Sequence, residues 1–242
     1  MLRVNIVPTA LFHLDNQDYF DFVDLRSRAS RLVRGLSLIR HAASGDREAA
    51  TALKIGFWPF VREFELAIDQ QLLPRQPLVR KFGDSDVRGI FTGIARAVRD
   101  MKEEEGSHAA HWQKDAECLG IDDLGDLRVP GVQALIDCAY VKDLPRFFSM
   151  LAGTEFIAEE LARYLVDSPD FTALFSRRRW IWGEVHLAAH EDGPSHLEID
   201  LDLARAYSTS GGASEIEDMV IDTIELFGKA SDDVEEALLL ST

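Results

Sequence analysis

The sequence predicts an all-α protein, and three observations carry that reading. Apolar residues recur at helical spacing through most of the chain. The helix-forming stretches are separated by short Gly, Pro and Asp punctuation, and no alternating strand pattern or tight hairpin turn interrupts them. The balance of 46% hydrophobic and 28% charged residues over 242 positions is that of a globular chain able to bury a large core. No internal repeat, linker or low-complexity tract divides it, so one domain spanning 1–242 is expected.

The first helix is expected from Gln17 to Ala43, with Phe20, Val23, Leu32, Leu36 and Ile39 inward and Gly45-Asp46 as its stop. A second helix follows from Arg47 to Leu72, with a kink at Pro59 because proline removes a donor and crowds the preceding turn. Pro74 and Pro77 close that unit. The third runs from Ser85 to Leu119 and stops at Gly120. Pro130 suits the first position of a short helix through Tyr140. Asp143-Leu-Pro145 opens another helix to Val166, where Ala152 and Gly153 would admit a close neighbour. Further helices are expected over Phe171–Ala189, His196–Tyr207 and Ala213–Leu240. The last is acidic, with one apolar stripe formed by Ile216, Val220, Ile224 and Phe227.

Charge narrows the functional classes. With 42 acidic and 26 basic residues the net charge is −16, which argues against nucleic acid or an anionic membrane as partner. No stretch approaches the ~20 apolar residues needed to span a bilayer. Met1–Leu14 carries no basic region ahead of an apolar run, so a cytoplasmic protein is expected. Cys118 and Cys138 form no metal-binding pair and read as reduced structural thiols.

The chemistry concentrates in three places. In Met101-Lys-Glu-Glu-Glu105-Gly-Ser-His108-Ala-Ala-His111-Trp112, Glu105 and His108 leave one helix face a turn apart. Inward-facing carboxylate–imidazole pairs of this kind hold metal ions in helical bundles. In Thr154-Glu155-Phe-Ile-Ala-Glu159-Glu160, Glu155 and Glu159 share a face and Glu160 is turned about a hundred degrees away. At least one of these acids must enter apolar surroundings, where a metal or a basic residue has to compensate it. Between Glu184 and His196 stand His186, His190 and His196 with Glu184, Glu191 and Asp192, ligand types suited to zinc, iron or manganese.

These residues resemble the heme-oxygenase-like, TenA/PqqC-type helical enzymes, in particular their metal-binding branch and the fatty-acid decarboxylases that form 1-undecene. Four blocks carry the resemblance: Gly56-x-Trp58-Pro59-x-Val61-x-x-Phe64, Glu105-x-x-His108-x-x-x-Trp112 followed by Gly120, Thr154-x-x-x-x-Glu159, and Trp182-x-x-x-His186. The departure lies in the last motif. The family places an acid four residues after the histidine and a second histidine three residues later. Here position 190 is His, and His196 follows His186 by ten residues.

The resemblance implies a heme-oxygenase-like bundle of seven to eight helices. It also implies non-heme iron, with two ions allowed, activating dioxygen to oxidise a small organic substrate. Glu105, His108, Glu159 and His186 are the implied ligands, completed by Asp192 and His196. His190 or Glu191 could replace Asp192, and His111 would support the site from outside. Trp58, Trp112 and Phe156 would exclude water, and a homodimer is compatible with this scheme. Two rivals stand beside it. One is a cofactorless TenA/PqqC-like enzyme, either a thiamine-related hydrolase with a cysteine nucleophile or a quinone-precursor oxidase. The other is a non-catalytic helical binding protein.

Overall fold

The computed structural model describes residues 20–85, 87–188, 195–209 and 212–240, with the side chain of Arg178 left aside. Among these residues all regular secondary structure is helical. Its helices are α1 (Phe22–Gly35), α2 (Ser37–Ala43), α3 (Arg47–Asp69), α4 (Arg75–Phe82), α5 (Val87–Cys118), α6 (Pro130–Ala139), α7 (Leu144–Val166), α8 (Pro169–Thr172), α9 (Ile181–Ala188), α10 (His196–Tyr207) and α11 (Ala213–Glu235). A 3-10 turn occupies Ser176–Arg178, and a π-helical turn at Glu236–Leu240 ends the described chain.

Helix α7 is the axis of the bundle. It packs against α1, α9, α10 and α11, and its buried residues cover nearly its whole circumference. A Cβ added at Gly153 would lie 2.8 Å from Thr223 Cβ and 2.9 Å from the Val220 carbonyl oxygen, so α7 and α11 touch there through the missing side chain. The apolar stripe expected on α11 is buried as read, and Thr223, Ala230 and Val234 extend it, placing this helix against α1, α3, α6 and α7. Helices α3 and α5 pair on another side, and α3 runs unbroken through Pro59.

Two expected helices are divided. The first breaks at Leu36, which is extended (φ −68°, ψ 130°). Leu25, Ala29 and Val33 share one face, whereas Leu38 and Ala42 would leave a continuous helix on the opposite side at a hundred degrees per residue. Redirecting the chain buries both sets. Val23 falls opposite Leu25 and is 82% exposed, contrary to expectation.

The stretch Phe171–Ala189 is not one helix either. Arg177 adopts φ 61°, and the path resolves into α8, the 3-10 turn and α9. Phe171, Phe175, Trp180 and Trp182 are all buried, yet on a continuous helix Trp180 would point away from Phe171 and Trp182. The break turns Trp180 inward, where its ring lies over Gly183, 2.4 Å from where a Cβ would stand. Helix α4 was not anticipated, because Pro74 and Pro77 read as stops. Pro74 precedes the helix in extended conformation and Pro77 sits within its first turn, where a missing N–H costs nothing.

Candidate metal centre

Four helices bring nitrogen and oxygen donors to one buried point. Helix α5 contributes Glu105 and His108, α7 contributes Glu155, α9 contributes His186, and α10 contributes His196 and Asp200. Ligand atoms of Glu105, Glu155 and His196 all lie within 4.8 Å of one another. His108 Nδ1 is 3.2 Å from Glu105 Oε2, and the His108 and His186 rings stand 4.1 Å apart between centroids. His196 Nε2 is 2.5 Å from Glu104 Oε2, which turns its Nδ1 towards Glu155 Oε1 at 3.9 Å.

The local sequence explains how each group is aimed. His186 Nδ1 lies 3.2 Å from the Trp182 carbonyl oxygen, one turn earlier. A carbonyl only accepts, so this bond places the proton on Nδ1 and the lone pair on Nε2, the arrangement a metal-binding imidazole requires. Trp182 lies tilted against His186 with ring centroids 3.9 Å apart and meets Trp112 edge-on at 5.1 Å. Helix α9 is itself held by a side chain from α5. Asp115 accepts from Ile181 N at 3.1 Å and Trp182 N at 3.0 Å, satisfying orphan donors at the helix start. Lys54 faces Asp115 at 3.5 Å and lies 3.8 Å above the Trp112 ring, both charged groups being 1% exposed.

Helix α10 begins with a capping box, Ser195 bonded to Glu198 N and Glu198 to Ser195 N. That fixes the first turn, and Asp200 leaves the same face as His196 four residues on.

The electrostatics are those of crowded acids. Burial, followed by the Glu105 charge, pushes the Glu155 carboxyl up to about 7. Burial and the Glu155 charge raise Asp200 well above the usual carboxylate range. Burial opposes a charged His196, but the Glu104 bond and the charges of Glu155, Glu104 and Asp200 outweigh it and push the imidazole up to about 10. At His108 burial is likewise outweighed by Glu105, and its pKa is raised. Asp200 Oδ1 is buried with no hydrogen-bond partner among the described residues. A buried unpaired oxygen is costly, and one beside two further carboxylates more so. A divalent cation would satisfy all three. The donor set of carboxylates and imidazoles fits iron, manganese or zinc, an ion taking the place of the protons that the acids hold on His108 and His196.

Of the residues singled out in the sequence, Glu105, His108, His186 and His196 converge. Asp192, His190 and Glu191 lie outside the described residues. Glu159 is buried on α7 one turn from Glu155, and its Oε2 accepts from Arg26 Nη2 at 2.8 Å. Glu160, also buried, pairs with Arg163. The three neighbouring acids of α7 thus meet three different compensations. His111 is only half-buried and makes no hydrogen bond among the described residues. Asp200, Glu104 and the Lys54–Asp115 pair were missed. The four-residue spacing of His196 and Asp200 was the available signal for the first, since it puts both on one helix face.

Beside the centre, sharing Trp112 and Trp182 with it, lies an apolar chamber of about 60 Å³. Phe57, Phe60, Ile157 and Phe227 are among its walls. Its two hydroxyls are committed to backbone, Thr154 to Met150 O and Thr223 to Met219 O, so the lining offers a guest no donor. Trp58 and Phe156, expected as shields, are buried but do not line this chamber. Neither Cys118, bonded to Ser176, nor Cys138, whose thiol is raised chiefly by burial, lines this chamber.

No known family model matches the chain, and no curated protein matches it. Among solved structures it is similar to a TenA homologue from Pseudomonas syringae pv. tomato. The TM-score is 0.63 at 14% identity, over 88% of this chain and 91% of that one. At that identity the likeness speaks to architecture alone, and it shows that the chain has the all-helical, heme-oxygenase-like fold of TenA-type proteins.

Proposed function

We propose that the protein is a metal-dependent oxidoreductase of the heme-oxygenase-like fold, using iron and dioxygen on a small, largely apolar organic substrate. The observation that supports this most is the convergence of Glu105, His108, Glu155, His186, His196 and Asp200 from four helices, with a buried carboxylate oxygen left unpaired at Asp200. Glu105, Glu155 and His196 would hold the ion, with Nε2 of His186, His108 and the Asp200 carboxylate adjoining. Bound there, iron would supply an open coordination position and one-electron chemistry for dioxygen.

The protein's own residues do the remaining work. The capped α10 and the Asp115-held α9 fix the histidines before any ion arrives. Trp112 and Trp182 separate the centre from the chamber and keep water out. The apolar walls select a substrate by shape. An ion bound there would displace the proton that burial and the Glu105 charge otherwise hold on Glu155.

The likeness to a TenA homologue favours a second reading, a cofactorless enzyme of the same fold. Its hydrolase form requires a cysteine nucleophile at the chamber, which neither Cys118 nor Cys138 lines; its quinone-precursor oxidase form carries no such requirement. Anaerobic loading with ferrous iron, manganese or zinc, followed by metal analysis, separates the two. Metal retained in stoichiometric amount by the wild-type protein, and lost from a Glu155→Ala/His196→Ala variant of unchanged circular dichroism, supports the first. Failure to retain any of the three metals under any loading condition would sink it.

A further inference from the structure

The carboxylates of α7 carry an inference about how many ions the centre holds. It rests on the metal reading above. Glu155 and Glu159 are one turn apart on the same face, and both are buried. In a two-metal site a second ion typically stands about 3.5–4 Å from the first, with shared carboxylates between them. Glu159, one turn from Glu155, is the acid that could serve such an ion.

That position is contested by Arg26. Its guanidinium reaches inward from α1 and donates to Glu159 Oε2 at 2.8 Å, although the Arg26 side chain is 45% exposed and Glu159 only 5%. A long side chain half in water is thus spent on neutralising one buried acid. The α1 backbone fixes this approach: Asp21 caps the helix at Asp24 N, Leu25 and Ala29 anchor it to the core, and Phe22 packs on Phe156 of α7. Arg26 also lines an open groove with Phe22, Val23, Ser27 and Ser30, so its outer side meets solvent. A guanidinium cannot lose its proton in a protein. A divalent ion brought to Glu159 would have to displace it or sit beside it, against like-charge repulsion.

We propose that Arg26 takes the electrostatic place of a second cation, so that the centre binds one metal ion and Glu159 is withheld from coordination. Removing the guanidinium then opens a second metal position on Glu159.

The experiment is titration of the full-length protein with manganous ion, read by calorimetry and by electron paramagnetic resonance. Wild type is expected to bind one ion and to show an uncoupled manganese spectrum. Arg26→Gln should bind a second ion and develop the signal of an exchange-coupled pair, whereas Arg26→Lys, which keeps the charge, stays at one. The double variant Arg26→Gln/Glu159→Gln should return to one ion. Circular dichroism controls for the fold of each variant. Two tightly bound ions in wild type overturn the proposal, as does a folded Arg26→Gln that still binds one. Persistence of the second ion in the double variant also overturns it, because the new position would then not involve Glu159. If neither wild type nor any variant binds manganese, ferrous iron or zinc, the metal reading itself fails and takes this one with it.

Discussion

Substituting Asp115 by alanine tests the strut that holds the histidine of α9. Asp115 and Lys54 are each 1% exposed and 3.5 Å apart, and the same carboxylate accepts the Ile181 and Trp182 amides. Removing one partner of a buried ion pair costs about 3–5 kcal/mol, because the other charge is left uncompensated. Against a total stability of roughly 5–15 kcal/mol this is a large fraction. For a chain of this size it corresponds to a fall in Tm of about 6–20 °C.

The pH dependence gives the sharper check. Burial, opposed by Asp115, pushes the Lys54 ammonium down from 10.5 to about 7. Between those values the unfolded chain holds a proton that the folded chain has released, so this group makes stability rise with pH across that window. Below pH 7 its burial cost is felt in full. Without Asp115 the Lys54 pKa falls further, and each additional unit widens the deficit of the variant at low pH by about 1.4 kcal/mol. At pH 9 Lys54 is neutral in both proteins and only the two amide acceptors are missing.

Guanidinium unfolding of metal-free wild type and Asp115→Ala at pH 6 and pH 9 measures the difference. Tryptophan emission is a suitable probe, since Lys54 lies 3.8 Å from the Trp112 ring and 5.4 Å from that of Trp180. The expected deficit is larger at pH 6. A deficit under about 1 kcal/mol at pH 6 would contradict the buried-pair energetics. Equal deficits at the two pH values would refute the role given to Lys54.

Further expectations concern the centre and its supports. His186→Ala should weaken metal binding by more than the roughly 10–100-fold that loss of an indirect support costs; unchanged affinity in a calorimetric titration would remove His186 from the site. Metal at a hundred times its Kd should add about 2.7 kcal/mol of stability. That is a rise in Tm of roughly 5–11 °C by scanning calorimetry, absent from a Glu155→Ala/His196→Ala variant. Gly153→Ala should destabilise by about 1–3 kcal/mol, because the new methyl meets the Val220 carbonyl oxygen of α11 as well as Thr223. Unaltered urea unfolding would mean that the two helices separate at little cost. Cys138→Ala should leave metal content and any turnover intact; loss of turnover with metal and fold retained would move the function to a cysteine-dependent reaction.

What the sequence determined by itself was whatever depends on neighbours along the chain. The all-α class, the single face shared by Glu105 and His108, the Pro130 start of α6 and the buried stripe of α11 all follow from helical periodicity and terminal residues. Even the partition of α7 was half legible, because three acids set among Phe156, Ile157 and Leu161 had to be compensated by something. Which compensation each acid received was decided by tertiary structure. Glu159 and Glu155 share a helix face, and what separates them is tertiary: Arg26, 133 residues earlier on α1, reaches Glu159, while Glu105 of α5 and His196 of α10 meet Glu155. The break at Arg177 belongs to the same class: local propensity favours one helix, and burying Trp180 together with Trp182 overrides it. Asp115 reads as an ordinary polar helix residue until α9 sets its first amides against it. A lysine at position 54 is buried only because that carboxylate and two tryptophan faces meet it there. Propensity acts through the backbone within a few residues, whereas the charge and solvation of a buried group are set by whatever the fold brings to within about 4 Å.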